Sequence, residues 1–261
     1  MARARKRHVQ QGLPFLDKNG QRRGRRMRVE TRGRVGRPKK AGSGSAHQVR
    51  PALGKRCPVH VVLRVHADVR DLRKRHMYRA LREATLTVAR RELNFAEHGA
   101  FRIVHVSIQR THVHLLVEAD HKMALSRGMQ SFQISAAKHI NREYSAKARL
   151  PRRRRGAVFP DRFHQEIITS PRQARHALAY VLNNWRKHRE DRSADPRWNV
   201  DPFSTGVLFD GWKPHAEDAL MWRWRDTYDP LVVYRPRSWL LREGWRRHGL
   251  LAFGEVPGPR T

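Results

Sequence analysis

Two histidines separated by one valine are the residues of this chain best placed to do chemistry. His112 and His114 stand at the start of the run THVHLLVEA, whose apolar character predicts a β-strand. Because strand side chains alternate between faces, both imidazoles project from the same face, roughly 6–7 Å apart along the strand. Imidazole is a common ligand of divalent metals. The pair therefore predicts one half of a metal site.

The charge of the chain indicates what such a site would face. The 261 residues contain 56 Lys+Arg against 23 Asp+Glu, a formal net charge of +33, and the pI is near 11.7. This excess goes beyond what solubility requires and attracts phosphate backbones in a salt-dependent way. A polyanion is the expected partner, and nucleic acid is the first candidate.

Other compartments and cofactors are disfavoured by the same sequence. No run approaches the roughly 18–20 apolar residues of a membrane-spanning helix, and the basic N-terminal residues lack the apolar core of a secretory signal. Cys57 is the only cysteine, which excludes a disulfide or a cysteine-based zinc site within one chain. We expect no membrane partner and a cytoplasmic, nucleoid-associated protein.

Composition divides the chain into three parts. Residues 1–50 carry 16 Lys/Arg with only Asp17 and Glu30 as acids, too little apolar surface to order the chain, so 1–54 is predicted to be a disordered basic arm. Residues 55–192 have the patterning of a folded domain. The tryptophan-rich residues 193–261 are predicted to be a C-terminal extension that packs on this domain.

The elements that must position the histidines alternate along the domain. Only Arg110 and Thr111 separate two strand patterns, which predicts a tight antiparallel hairpin. Ser170 followed by Pro171 is typical of a helix start. The order β-α-β-β-α-β-α predicts an α+β fold whose antiparallel sheet has helices over one face. Strands are predicted at 58–65, 102–109, 112–119 and 163–169, and helices at 70–95, 125–148, from 170 onward and near 237–250.

The third helix offers polar groups to the histidine face. Its apolar residues recur at helical spacing from Ala174 to Trp185, which predicts a buried stripe. Tyr180 and Asn184 lie four residues apart and are therefore neighbours beside that stripe. The Tyr180 hydroxyl and the Asn184 amide oxygen therefore lie side by side on a helix whose apolar face packs in the core.

Five motifs in this order carry a resemblance to a known family. They are THVHLLVE at 111–118, LSRGMQ at 125–130, INRE at 140–143, GAVFPDRFH at 156–164 and YVLNN at 180–184. The chain resembles the single-tyrosine HUH transposases, the enzymes of the smallest insertion sequences and their relatives associated with repetitive extragenic palindromes. It departs from their pattern at Gln109-Arg110-Thr111, where they have methionine-proline-asparagine, and at Trp185, where they have proline.

The resemblance implies a ferredoxin-like, HUH-type fold and roles for the residues that match its motifs. His112 and His114 match the metal ligands, Tyr180 the nucleophile, and Asn184 the third ligand of Mg²⁺ or Mn²⁺. Other ligands and another nucleophile stay open at this stage. They are Asn183, Gln165 or Glu166 as the third ligand, and Tyr144 as the nucleophile.

The implied function is metal-dependent cleavage and rejoining of hairpin-flanked single-stranded DNA through a 5′-phosphotyrosine link. Two rivals remain: a domesticated relative that binds nucleic acid without catalysis, and an RNA-binding or ribosome-associated protein. A homodimer and a monomer are both compatible with the family. The predicted DNA contacts are Arg110, Arg127, Lys138, Arg142, Arg152, Arg153, Arg154, Arg155, Arg162, Arg186 and Lys187, although the run at 152–155 is also typical of a solvated loop.

Overall fold

A computed structural model describes six stretches of the chain. They are residues 51–54, 57–69, 71–94, 99–194, 198–214 and 228–256. Most of the predicted basic arm, residues 1–50, lies outside the described residues. Within the described stretches, no helix is both long and apolar enough to cross a membrane.

Four strands form one antiparallel sheet in the order β2-β3-β1-β4. The chain order is β-α-β-β-α-β-α, as the sequence predicts, and the α+β fold class is confirmed. The third strand has the predicted bounds. The first helix begins at Arg75 and not at residue 70 as predicted, and a separate 3-10 turn, Ala67–Val69, precedes it. The elements are β1 (Val59–Arg64), α1 (Arg75–Asn94), β2 (Phe101–Ile108), β3 (His112–Ala119), α2 (Lys122–Lys147), β4 (His164–Ile167) and α3 (Pro171–Leu182), followed by the short α4 (Asn184–Lys187) and α5 (Trp239–Arg242).

The two faces of the sheet pack against different layers. Alternate residues of β1 and β3, such as Val61 and Leu115, enter a core shared with α1 and α2. The residues between them face the other side, where Leu116 joins a second core. That core contains α3, which therefore does not lie over the same face as α1 and α2. The one-face arrangement holds for the first two helices only, because the apolar stripe of α3 finds its partners on the second face.

Residues beyond the sheet cover its β2 edge, an edge that would otherwise expose unpaired backbone groups. The backbone N–H of Ile108 donates to the carbonyl of Phe203, and that of Tyr234 donates to the carbonyl of Ile103. Thr205 Oγ1 accepts from the N–H of Val106 at 3.0 Å. Phe203, Thr205 and Tyr234 thus contact the β2 edge of the sheet.

An ion pair within the sheet binds the backbone that leads into α5. Arg102 Nε donates to Glu118 Oε2 at 3.1 Å, and both side chains are buried. Glu118 also accepts the backbone N–H groups of Arg237 and Ser238, just before α5. The helix predicted near 237–250 is broken after α5, because Glu243 leaves the helical conformation and a 3-10 turn, Gly244–His248, follows.

Gly128 marks the closest approach of α2 to the sheet. A Cβ added at this position would lie 2.1 Å from Cγ of Phe101, whose ring is buried in the first core. We predict that Gly128→Ala lowers the free energy of unfolding by about 1–3 kcal/mol, because overpacking forces the helix or the ring to move. Ser126→Ala, at an exposed position of the same helix, is the control and should leave it within about 0.5 kcal/mol. Equal effects in denaturant titrations would contradict this packing.

His105 provides a pH-dependent test of the second face. Burial lowers the pKa of His105 from its usual 6.5 to about 4, and its ring contacts Thr205 and Phe209. Below pH 6.5 the unfolded chain takes up a proton that the folded chain excludes. The free energy of unfolding should therefore fall as the pH drops from 6.5 to 4, by up to roughly 3 kcal/mol from this group. Chemical denaturation at each pH should give a shallower fall for His105→Asn; parallel curves would contradict the assignment.

Candidate active site

The second face of the sheet carries a cluster of histidines. His112 and His114 project from β3 with ring centroids 4.7 Å apart. His60 projects from the neighbouring strand β1, and its Nε2 lies 3.1 Å from Nδ1 of His114. His60 and His114 are only 4% and 2% exposed. His60 was not among the predicted site residues, although its place between the inward-facing Val59 and Val61 was a signal that its side chain faces the other way.

The third helix brings Tyr180 to this cluster. Ser170 caps α3 by accepting the backbone N–H of Gln173, and Pro171 begins the first turn. At the far end of α3 the Tyr180 ring lies 5.3 Å from that of His114 and 5.6 Å from that of His60, centroid to centroid. Tyr180 and the histidine pair are therefore neighbours within one chain, with no second copy needed to unite them.

The residues after α3 close the site from the side of His112. The helical backbone breaks at Asn183 and resumes as α4, which carries Lys187 with its Nζ 4.7 Å from the ring centroid of Tyr180. His188 follows, and its ring lies 5.3 Å from that of His112. His188 was not among the predicted site residues, because only the path of the chain after α3 brings it to β3.

An ion pair joins the segment after α4 to the turn between β2 and β3. Arg110, in the turn between β2 and β3, donates from Nε to Glu190 Oε1 at 2.6 Å. Arg73 lies near the same carboxylate, 4.0 Å from Nε to Oε2, and forms a closer pair with Asp201. Arg110 therefore joins the turn that precedes His112 to the segment that carries His188.

Burial keeps the histidine pair uncharged at neutral pH. Burial, together with the neighbouring His188 and Arg64, lowers the pKa of His112 to about 4. Burial also holds the pKa of His114 well below its usual range, with added effects from His60 and His112. Neutral imidazoles keep a ring lone pair, which is the form that binds a metal.

The buried side chains of His114 and Asn184 have polar atoms that fit a divalent cation as ligands. His114 Nε2 has no hydrogen-bond partner among the described residues, and neither does the amide oxygen or nitrogen of Asn184, a residue with 0% exposure. Buried polar atoms normally have partners, so these are open positions for a ligand. Within the described stretches no three His, Cys, Asp or Glu side chains are grouped to bind a metal. Two imidazoles and an amide are the donor set that fits.

The alternative third ligands differ in position. Asn183 donates its amide to the carbonyl of Ala252 at 3.0 Å. Gln165 pairs with Val61 across the sheet and so shares the face of the first core, away from the histidines. Glu166 pairs with His60 and shares the histidine face, but β1 separates it from β3.

The alternative nucleophile lies in another layer. Tyr144 packs against the first core, on the side of α1 and α2, and Arg154 lies over its ring at 5.8 Å. The sheet therefore separates Tyr144 from His112 and His114. Of these two tyrosines, only Tyr180 lies on the histidine face.

The predicted DNA contacts fall into two groups. Some already bind protein groups, as Arg142 does with Glu143 and Arg186 with Asp191; Arg153 and Arg154 bond to the α2 residues Lys138 and Asn141. The others are exposed and make no hydrogen bond or ion pair from their side chains to any other described residue. This second group is Arg127, Lys138, Arg152, Arg155 and Arg162.

Comparisons with known proteins bear on the family. A family model described as "Transposase IS200 like" matches residues 55–184, about half of the chain. Among solved structures, a REP-associated tyrosine transposase bound to a REP hairpin is 19% identical, with a TM-score of 0.42, and the match covers 74% of this chain and 100% of that one. A protein of Deinococcus radiodurans R1 described as a transposase is 13% identical, with a TM-score of 0.33, over 58% of this chain and 99% of that one.

No curated protein matches the sequence. The matched family segment contains His112, His114, Tyr180 and Asn184, and it ends before Lys187 and His188. The family model alone carries the assignment. The chain belongs to the tyrosine transposases of the HUH type, in the IS200-like transposase family.

Proposed function

We propose that this transposase cleaves and rejoins single-stranded DNA through a covalent link to Tyr180. The observation that carries the proposal is the 5.3 Å approach of the Tyr180 ring to that of His114 within one chain. A half-buried tyrosine whose ring lies beside neutral imidazoles, in a strongly basic protein, is suited to attack a phosphodiester. The family to which the chain belongs supports the same reaction.

The chemistry exchanges one phosphate ester for another. The Tyr180 hydroxyl attacks the scissile phosphorus, a bond forms between the phenolic oxygen and phosphorus, and the bond from phosphorus to the 3′ oxygen breaks. The hydroxyl proton leaves the tyrosine, and the departing 3′ oxygen gains a proton. The 5′-phosphotyrosine link retains an ester bond, so a second 3′-hydroxyl reverses the step and joins strands without ATP.

Residues around Tyr180 have separate tasks in this reaction. His112, His114 and Asn184 would hold a divalent cation, Mg²⁺ or Mn²⁺, which when bound polarises the phosphate and offsets its charge. Lys187 Nζ lies over the Tyr180 ring, 4.7 Å from its centroid, and this ammonium group would pair with phosphate oxygens of the strand. The packing of α3 on the second core holds the tyrosine ring in place during attack.

The DNA substrate is single-stranded and carries a hairpin. Exposed residues among the predicted contacts supply backbone contacts that depend on salt but not on sequence. Arg127, Arg152, Arg155 and Arg162 are the leading candidates, because no other described residue engages their side chains. Such binding places the protein with the nucleoid in the cell.

We predict that Tyr180→Phe abolishes the covalent protein–DNA adduct, because the ring remains but the attacking oxygen is lost. The assay uses a library of labelled single-stranded DNA hairpins with random flanks, incubated with Mg²⁺ or Mn²⁺ and resolved under denaturing conditions. Tyr144→Phe removes a hydroxyl from the other layer and is the matched control. It should form the adduct at the wild-type level. An adduct from Tyr180→Phe, or its loss in Tyr144→Phe alone, contradicts the assignment of the nucleophile.

His114→Ala should abolish cleavage of the same library while leaving DNA affinity within about two-fold, since charged side chains supply most of the binding. Fluorescence anisotropy measures the affinity, and His105→Asn, a buried histidine of the adjacent strand, is the control that should retain both properties. Loss of cleavage and affinity together in His114→Ala would indicate that this histidine is structural. Competition by RNA hairpins as strong as that by DNA hairpins would favour an RNA-binding protein.

A further inference from the structure

The direction of the hydrogen bond between His60 and His114 decides which ring nitrogen of His114 keeps its lone pair. Only one hydrogen can lie between His60 Nε2 and His114 Nδ1, which are 3.1 Å apart. A neutral imidazole carries one N–H and one lone pair. If His60 donates, the proton of His114 must be on Nε2 and no lone pair is left there. If His60 accepts, His114 carries its proton on Nδ1 and its Nε2 lone pair is open.

We propose that His60 is a positioning residue that accepts the Nδ1 proton of His114 and so directs the Nε2 lone pair of His114 to the cation. This inference rests on the proposed function, in which His114 is a ligand of the cation. His114 Nε2 is buried and has no partner among the described residues, which is the state of an atom reserved for a ligand. Metal-bound histidines commonly donate their other ring N–H to a fixed acceptor, which sets the tautomer and the ring orientation.

The position of His60 suits this task better than a packing task. The neighbouring β1 residues Val59, Val61 and Leu63 supply the first core, whereas His60 lies on the second face, where an apolar residue would bury more favourably. Its ring stacks on that of His114, with an interplanar angle of 20° and a centroid distance of 5.3 Å. It also contacts the edge of the Tyr180 ring. One side chain therefore fixes the orientation of a metal ligand and touches the nucleophile.

The tautomer is measurable in the metal-free protein. Long-range ¹H–¹⁵N correlation spectra of ¹⁵N-histidine-labelled full-length chain at neutral pH distinguish a protonated Nδ1 from a protonated Nε2, and His114→Asn assigns the signal. We expect the Nδ1–H form of His114 in the wild type. His60→Phe keeps an aromatic ring at this position but has no acceptor, so it should shift His114 toward the Nε2–H form. An Nε2–H form in the wild type overturns the proposal.

Metal affinity gives the second readout. Mn²⁺ titration followed by electron paramagnetic resonance should show binding about 10–100-fold weaker in His60→Phe. His60→Gln, whose side-chain carbonyl can accept the same proton, should recover part of the loss. The control is His105→Asn, which replaces a buried histidine that contacts Thr205 and Phe209. This variant should bind Mn²⁺ as the wild type does. Thermal melting of each variant separates a folding defect from a local effect.

The outcomes separate this inference from the proposed function. If His114→Asn loses Mn²⁺ while His60→Phe binds it normally and leaves the tautomer unchanged, His60 has no positioning role and the metal site stands. If the wild type binds no Mn²⁺, the metal site of the proposed function fails. The tautomer spectrum would then still decide whether His60 directs the His114 proton. Equal losses in His60→Phe and His60→Gln would also count against the hydrogen bond as the cause.

Discussion

The candidate site depends on the packing of α3 against the second face of the sheet. Alternation along β1 and β3 sends one set of apolar residues to α1 and α2, and this burial fixes the strand register. A slip of one residue would turn His60 and His114 into the first core. With the register fixed, Leu116 and the apolar stripe of α3 meet on the second face. Tyr180, on the border of that stripe, comes to the histidines as a consequence.

Near the end of α3, the second face of the sheet departs from the rule that buried polar atoms have hydrogen-bond partners. Two imidazoles and the Asn184 amide are buried there, and three of their polar atoms have no partner among the described residues. Unpaired buried polar groups are costly for folding, so a natural chain retains them mainly where function requires it. The apolar core of α1 and α2 on the opposite face supplies the stability that such an arrangement needs.

Strand alternation and helix capping predicted much of this arrangement. The THVHLLVEA run gave the bounds of β3 and the shared face of its histidines, and Ser170-Pro171 gave the start of α3. Helical periodicity shows which side of α3 is buried but not which sheet face covers it, so the second layer was not predicted. His60 and His188 were missed because their contacts depend on strand register and on the path of the chain after Asn183. Pairing with Glu190 makes Arg110 part of the scaffold of the site, a contact that composition cannot reveal.

The central claim is that Tyr180 is the group that becomes joined to DNA. The most direct measurement is mass spectrometry of the wild-type protein after reaction with the hairpin library, nuclease digestion and proteolysis. We expect a single nucleotide-bearing peptide, with the phosphate on the Tyr180 oxygen. A nucleotide on Tyr144 or on any other residue, or cleaved DNA with no modified peptide, would contradict it.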